Sequence, residues 1–115
     1  MTVIELEIAS RQEEGWAVLA ASGELDLYTA PRLRDEVLSA LEGGATQIAL
    51  DLHGVGFIDS TGLGILVACL KRVREREGRL VVIAPDTSPL RRLLALTGLE
   101  EALPTYPALA DVMSA

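Results

Sequence analysis

The side chains best suited to chemistry stand together in a short polar turn formed by Asp59, Ser60 and Thr61. Residues 46–50 before the turn are β-branched and apolar, which predicts a buried strand. Residues 63–77 after it carry apolar side chains at helical spacing, which predicts an amphipathic helix. Either Asp59 or Ser60 is a suitable N-cap, so the pattern places the Ser60 hydroxyl between the carboxyl end of a strand and the amino end of a helix.

Two glycines, Gly62 and Gly64, occupy the first turn of this helix. Each weakens a helix by about 1 kcal/mol relative to alanine, and each leaves bare backbone that another group can approach closely. A hydroxyl beside bare backbone at the positive end of a helix suits a phosphate group. The pattern therefore predicts that a phosphate is attached or held at Ser60.

A second polar turn, residues 23–26, follows a predicted strand at residues 16–21 and ends in Asp26. Ligand and partner sites in parallel sheets lie at the carboxyl ends of the strands. We therefore expect this turn to be a spatial neighbour of the turn at residues 52–60. Asp26 then either lies close to Ser60 or serves as a simple turn carboxylate.

A hydrolase built from Ser60, His53 and Asp26 has suitable residue types. The nucleophile elbow of such enzymes has glycine two residues before the serine, however, and Ile58 stands there. The sequence has no glycine-rich loop that ends in Gly-Lys-Ser/Thr, and one histidine with one cysteine, Cys69, does not make a metal site. We therefore expect no catalytic residue, no metal and no cofactor.

The composition is that of a small acidic domain. The 115 residues are half apolar but only 3% aromatic, which indicates one domain with an aliphatic core. A formal net charge of −7 disfavours nucleic acid as the main partner and leaves a basic protein partner open. No apolar run reaches the roughly 18 residues of a membrane helix, residues 1–5 lack a signal-peptide pattern, and a single cysteine forms no internal disulfide. We expect a cytoplasmic protein without membrane insertion.

Hydrophobic periodicity and turn residues predict elements in the order β-β-α-β-α-β-α-β-α. Strands that alternate with helices predict an α/β domain over residues 1–115, with a mixed, mostly parallel sheet and an antiparallel first strand. The apolar sides of the last two helices are expected to include Leu96 and Met113. The predicted strands are residues 3–9, 16–21, 46–50, 80–84 and 102–105, and the predicted helices start at Thr29 or Ala30, Asp59 or Ser60, Ser88 or Pro89, and Pro107, with the first three ending at residues 43–44, 77–78 and 98.

The two turns carry the motifs Gly23-Glu24-Leu25-Asp26 and Phe57-Ile58-Asp59-Ser60-Thr61-Gly62-Leu63-Gly64. With the Leu96-Thr97-Gly98-Leu99 turn, they make the chain resemble, over essentially its whole length, the anti-sigma factor antagonists of the STAS family (sulfate transporter and anti-sigma antagonist). The resemblance implies a STAS-type single domain in bacteria that binds an anti-sigma factor, a serine kinase with its own ATP, and so frees a sigma factor. It also implies that the kinase phosphorylates Ser60, that the phosphorylated form dissociates, and that a phosphatase removes the phosphate.

On this resemblance, Ser60 is the phosphoacceptor and Thr61 is a second, minor acceptor. Asp59 positions the turn, while Gly62 and Gly64 keep the approach open. STAS-like domains also act as scaffold subunits of sensory complexes and as regulatory subunits of membrane transporters, and these are the alternative functions for the chain. The expected partner-binding residues are Asp26, Asp59, Ser60, Thr61, Gly62 and Gly64.

Overall fold

A computed structural model describes residues 5–114, and its elements follow the predicted order β-β-α-β-α-β-α-β-α. The α/β fold class with a mixed sheet is thereby confirmed. The strands are β1 (Leu6–Glu13), β2 (Trp16–Leu25), β3 (Gln47–Ile58), β4 (Arg79–Ile83) and β5 (Thr105–Tyr106), and the helices are α1 (Ala30–Glu42), α2 (Ser60–Glu75), α3 (Pro89–Thr97) and α4 (Leu109–Met113).

The five strands form one sheet in the order β1-β2-β3-β4-β5. β1 and β2 form an antiparallel hairpin, and its turn residues Glu14 and Gly15 have φ angles of 50° and 84°, which match the twist of a tight hairpin. The remaining neighbours are parallel, as the alternation of strands and helices predicts. The carboxyl ends of β2 and β3 consequently lie side by side.

The core has two unequal parts on the two faces of the sheet. Helices α1, α2 and α3 cover one face and bury most of the aliphatic side chains. The short α4 covers part of the other face, where Val112 packs with Trp16 and Val18. Arg79 lies over the Trp16 ring, 5.4 Å from its centroid, where a cation is attracted by the ring face. Within residues 5–114, no helix is both long enough and apolar enough to cross a membrane.

The strands extend further than the sequence predicts. β1 runs through Glu13, beyond its predicted end at residue 9, and the predicted beginning of this strand at Val3 and Ile4 lies outside the described residues. β2 continues past its predicted end at residue 21 and through most of the predicted polar turn as far as Leu25. These polar segments are extended because their backbones pair with neighbouring strands, an interaction that does not depend on side-chain polarity.

β3 likewise continues through the predicted turn to Ile58. Its last residues, Phe57 and Ile58, pair with Glu24 and Leu25 of β2 after shifts of register. The two predicted turns are therefore irregular ends of two adjacent strands. This extension brings the second strand end directly to the first residue of α2.

The remaining differences concern helix ends and exposure. α2 ends at Glu75, short of the predicted end, because Glu77 takes a left-handed φ of 60°. β5 is shifted towards the carboxyl terminus relative to the prediction. Leu96 and Met113 are 78% and 44% exposed, so their predicted inward orientation is wrong. In α3, Leu94 faces the core, and Leu96 lies about 200° further round the helix.

Candidate functional site

The turn from β3 into α2 is held by Asp59, which is the N-cap of the helix. Its Oδ1 accepts a hydrogen bond from the backbone N–H of Gly62 at 2.9 Å, and its carbonyl oxygen accepts one from Leu63 at 3.0 Å. Of the two N-cap candidates in the sequence, Asp59 and Ser60, the structure therefore selects Asp59. Ser60 is the first residue of the helix, so its hydroxyl is not needed for capping.

Ser60 and Thr61 are both exposed at the amino end of α2. The helix runs for 16 residues, with basic residues in its last turn and none of its own acidic residues in its first. Its amino end therefore carries partial positive dipole charge beside two exposed hydroxyl groups, and the capping Asp59 carboxylate offsets part of that charge. An exposed hydroxyl at this place can be taken into the active site of another protein without any change in the fold.

The two strand ends that carry the motifs meet, as predicted. The backbone N–H of Asp59 donates to the Leu25 carbonyl oxygen at 3.3 Å, which ties the start of α2 to the end of β2. Gly62 is buried, and a Cβ atom placed on it would lie 2.6 Å from the same oxygen. Gly64 has open space around its Cα instead. The close approach allowed by Gly62 is therefore to β2, while Gly64 leaves the helix surface bare.

Asp26 is bound within its own loop. Its Oδ1 accepts from the backbone N–H groups of Tyr28 and Thr29 at 2.9 and 3.0 Å. The buried Thr29 hydroxyl donates to the Glu24 carbonyl oxygen at 2.6 Å and lies 3.2 Å from Asp26 Oδ1. The Thr29 N–H, more than the Tyr28 N–H and the Thr29 hydroxyl, holds the pKa of Asp26 below its usual value. These bonds make Asp26 an ionised turn carboxylate next to the strand end that receives α2.

His53 does not complete a catalytic arrangement with Ser60 and Asp26. Its Nδ1 lies 2.8 Å from Asp51 Oδ1, and its backbone N–H donates to the same oxygen at 3.1 Å. Both hydrogen bonds are local to the exposed stretch of β3. Asp26 is bound to its own loop, so the histidine and the carboxylate of the hydrolase alternative are held in separate places.

Three exposed apolar side chains at this end of the sheet are not predicted by the sequence pattern. Leu27, Tyr28 and Phe57 are 59%, 80% and 47% exposed. The first two follow β2 and the third lies near the end of β3, so all three belong to the segments that flank the start of α2. Exposed apolar residues grouped near one edge are typical of an interaction surface. The sequence does contain a sign of this surface, because large apolar residues in or beside predicted polar turns have no strand or helix that would bury them.

A groove of about 300 Å³ lies between the end of β3 and helix α3. Leu96, whose inward orientation was wrongly predicted, is on its wall. The lining residues of the groove are Gly56, Ile58, Thr87, Pro89, Arg92, Leu93 and Leu96.

Comparison with known proteins gives a consistent family. The sequence profile described as the STAS domain matches residues 7–112. The anti-sigma-B factor antagonist of Listeria monocytogenes is 37% identical over 102 residues, which cover 87% of this chain and 86% of that protein. An anti-sigma factor antagonist from Mycobacterium paratuberculosis has a crystal structure with a TM-score of 0.83 at 31% identity, over 96% of this chain and 92% of that chain.

The fold alone is shared with a more distant protein. The Bacillus cell fate determinant SpoIIAA in its phosphorylated form has a TM-score of 0.67 at 20% identity, over 94% of this chain and 97% of that chain. The fold, the paired strand ends and the extent of the sequence match agree with one another. The chain therefore belongs to the STAS domain family and, within it, to the anti-sigma factor antagonists.

Proposed function

We propose that the unmodified protein binds an anti-sigma factor that is also a serine kinase, and so releases the sigma factor held by that kinase. Phosphorylation of Ser60 ends the binding, and a phosphatase restores it. The observation that carries the proposal is the exposure of Ser60 at the first position of α2, where Asp59 rather than Ser60 caps the helix. The protein acts in the cytoplasm, where sigma factors function.

The binding surface consists of the start of α2 and the adjoining strand ends. Ser60 is the acceptor, Thr61 a minor acceptor, and Asp59 and Asp26 hold the two segments in shape. Gly64 lets the kinase backbone approach the helix, and Gly62 fixes the helix against β2. The exposed apolar side chains of Leu27, Tyr28 and Phe57 supply area that becomes buried on binding.

The kinase supplies the reactive groups. The Ser60 hydroxyl oxygen forms a bond to the γ-phosphorus of ATP, the bond to the bridging oxygen breaks, and ADP leaves. The hydroxyl proton passes to a base of the kinase, because this chain contains no nucleotide-binding motif. The phosphatase reverses the modification by hydrolysis of the phosphate ester.

The switch follows from added charge at a surface that becomes buried. A phosphate adds about −1.5 to −2 charges at neutral pH, next to the Asp59 carboxylate. Two like unit charges 4 Å apart repel by about 1 kcal/mol in water and about 4 kcal/mol at an effective dielectric constant of 20. A kinase that excludes water from the site moves the repulsion towards about 4 kcal/mol. That free energy corresponds to about a thousandfold in a binding constant.

The same phosphate does not unfold the domain. The amino end of α2 offsets about 0.3 to 1 kcal/mol of its charge, and Ser60 is exposed in the free protein, where water screens the remainder. The phosphate thus acts on the complex more strongly than on the fold. Loss of binding comes from repulsion and from the bulk of the phosphate at the interface.

The direct test is to incubate the protein with its cognate kinase and ATP and to locate the phosphate by mass spectrometry. We expect it on Ser60. Ser60→Ala should bind the kinase whether or not ATP is present, and Ser60→Asp should bind about fivefold or more weakly, because one added charge costs at least about 1 kcal/mol.

Thr61→Ala is the matched control, because it removes the neighbouring exposed hydroxyl from the same helix turn. It should keep the phosphorylation of Ser60, because it leaves the proposed main acceptor in place. Equal phosphorylation of Ser60→Ala and the unchanged protein would reject Ser60 as the main acceptor. Tight binding of Ser60→Asp would favour the scaffold or transporter-regulatory functions instead.

A further inference from the structure

The outer edge of β1 is a long strand edge on the far side of β2 from α2. β1 is the first strand of the sheet, and five of its eight residues, from Ala9 to Glu13, are exposed without interruption. In the described part of the chain, β1 pairs with β2 alone. An edge of this length exposes backbone donors and acceptors that can pair with another strand.

The outward backbone groups of this edge are those of alternate residues. The N–H of Glu24 donates to the Glu5 carbonyl oxygen at 2.7 Å, and Leu6 is paired with Gly23. In an antiparallel ladder, hydrogen-bonded and non-hydrogen-bonded pairs alternate. Odd-numbered residues of β1 therefore bond to β2, and the backbone groups of the even-numbered residues from Leu6 to Gln12 point outward.

The side chains of β1 also alternate between the two faces. Leu6 and Ile8 pack with the core beneath the helices, so the odd-numbered side chains lie on the opposite face. That face carries Glu7, Arg11 and Glu13 along the edge. Arg11 and Glu13 form an exposed ion pair of 3.0 Å. Charged edges usually repel other strands, but this edge carries both signs.

We propose that β1 pairs in antiparallel fashion with β1 of a second copy of this chain, so that the two sheets become continuous. The pairing is centred on Ala9. It sets Glu7 of each copy opposite Arg11 of the other, and the two-fold symmetry repeats this pair. Opposite charges directly across an antiparallel pair are stabilising.

The geometry of the edge selects this register. A two-fold axis normal to the sheet keeps the helices of both copies on one side, so the centre of pairing falls on a residue. Centring on Ala9 pairs the strand from Leu6 to Gln12 and matches both charges. Centring on Ser10 would set Glu7 opposite Glu13, which is repulsive.

The register centred on Ile8 pairs less of the strand. It sets Glu7 opposite Ala9 and moves Arg11 opposite Glu5. The register centred on Ala9 has two symmetric unfavourable pairs, because Glu13 of each copy faces Glu5 of the other. Glu13→Gln should therefore strengthen association, since it removes this repulsion and releases Arg11 from its ion pair within the chain.

The proposed dimer leaves both Ser60 sites accessible. Antiparallel pairing directs the two β3 carboxyl ends, and with them the two Ser60 hydroxyls, to opposite ends of the joined sheet. β2 separates β1 from β3 in each copy. The inference therefore does not depend on phosphorylation, and Ser60→Asp should dimerise as the unchanged protein does.

The test is sedimentation of the whole chain at concentrations up to about 1 mM, the weak end of measurable association. We expect a species of twice the 12.3 kDa chain mass. Ser10→Pro should abolish it, because proline removes an outward N–H, a position where an edge strand tolerates proline. Ser10→Ala is the matched control and should dimerise normally, and the emission of the buried Trp16 reports whether each variant is folded.

Charge reversal tests the register independently of proline. Glu7→Arg and Arg11→Glu should each weaken association about tenfold, because each changes two symmetric pairs from attraction to repulsion. The combined variant exchanges the charges and should restore association to within about threefold of the unchanged protein. A chain that remains monomeric up to about 1 mM, a dimer that survives Ser10→Pro, or a combined variant weaker than both single ones would overturn the proposal.

Discussion

Gly62 and Gly64 lie two residues apart in the same helix, and the same substitution should have opposite effects at the two positions. A methyl group at Gly62 would lie 2.6 Å from the Leu25 carbonyl oxygen, which also accepts the Asp59 N–H. The oxygen belongs to the backbone and the position of a Cβ atom is fixed by its own backbone, so no rotation of a side chain relieves the contact. At Gly64, the added methyl meets no atom within 4 Å apart from its chain neighbours and the backbone of its own helix.

The magnitudes follow from two opposing terms. Alanine in place of glycine favours a helix by up to about 1 kcal/mol, and this term applies at both positions. Overpacking costs about 1 to 3 kcal/mol, and it applies to Gly62 alone. We therefore expect Gly62→Ala to lose about 1 to 2 kcal/mol of unfolding free energy and Gly64→Ala to gain about 0.5 to 1 kcal/mol.

Urea and thermal unfolding, followed by the fluorescence of Trp16, measure this difference. Trp16 is the only tryptophan and is 4% exposed, so its emission reports global unfolding. A difference of about 2 kcal/mol between the two variants corresponds to roughly 8 °C in Tm for a domain of this size. The urea dependence of the unfolding free energy should be unchanged, because the exposed area on unfolding is the same.

The result that refutes the reasoning is a Gly62→Ala protein as stable as Gly64→Ala. It would mean that α2 can move away from β2 without cost, and that the start of the helix is not fixed by the Leu25 carbonyl. Measuring kinase binding further distinguishes the packing role of Gly62 from the proposed partner-contact role of Gly64. Gly64→Ala should bind less tightly although it is more stable, because its methyl group lies on the bare helix surface proposed for the partner.

Other perturbations of the same region have defined outcomes. Asp59→Ala should lower the unfolding free energy by about 0.5 to 2 kcal/mol and Asp59→Asn by less, as measured in urea, because asparagine still caps a helix. The pKa of Asp26 is lowered in the folded protein, so its carboxylate stabilises the fold above the ordinary pKa of 3.8, and this stability is lost as the pH falls through the lowered pKa of the folded state. The difference in unfolding free energy between the unchanged protein and Asp26→Asn should therefore disappear over that acidic range, as measured by unfolding at a series of pH values. Burial raises the pKa of the Cys69 thiol to about 11 from 9.0, so a thiol reagent should modify it about a hundredfold or more slowly in the folded than in the urea-unfolded protein. Phosphorylation of Ser60 should shift backbone NMR signals of the β2 and β3 ends and the start of α2 only, and large shifts in α4 would contradict a local switch.

Element order was predictable because it depends on local signals. The apolar periodicity of α2 and the stops at Gly43 and Gly98 act within one turn of the chain, and the structure retains them. The ends of β2 and β3 depend on each other. Residues 22–25 have the composition of a polar loop, and their pairing with β1 and β3 makes them a strand.

The candidate site likewise has features that local sequence predicts and features that depend on residues distant in the chain. The sequence placed the Ser60 hydroxyl at the amino end of a helix because the turn residues and the helix pattern are adjacent in the chain. The choice of Asp59 as the cap depends on the backbone of one residue, which has an extended ψ of −177°. The burial of Gly62 against Leu25 depends on two elements distant in sequence, so composition gave no sign of it.

The three residues at the start of α2 have separate tasks, and this separation would allow the proposed switch to be local. Asp59 satisfies the helix N–H groups, and Gly62 sets the distance between the helix and β2. Ser60 lies between them, exposed and not used as the cap. A serine that capped the helix would lose a stabilising hydrogen bond when it entered a kinase, and modification would then be coupled to fraying of the helix. With the cap on Asp59, a phosphate on Ser60 would change the charge of the surface while the bonds that hold the helix stay in place.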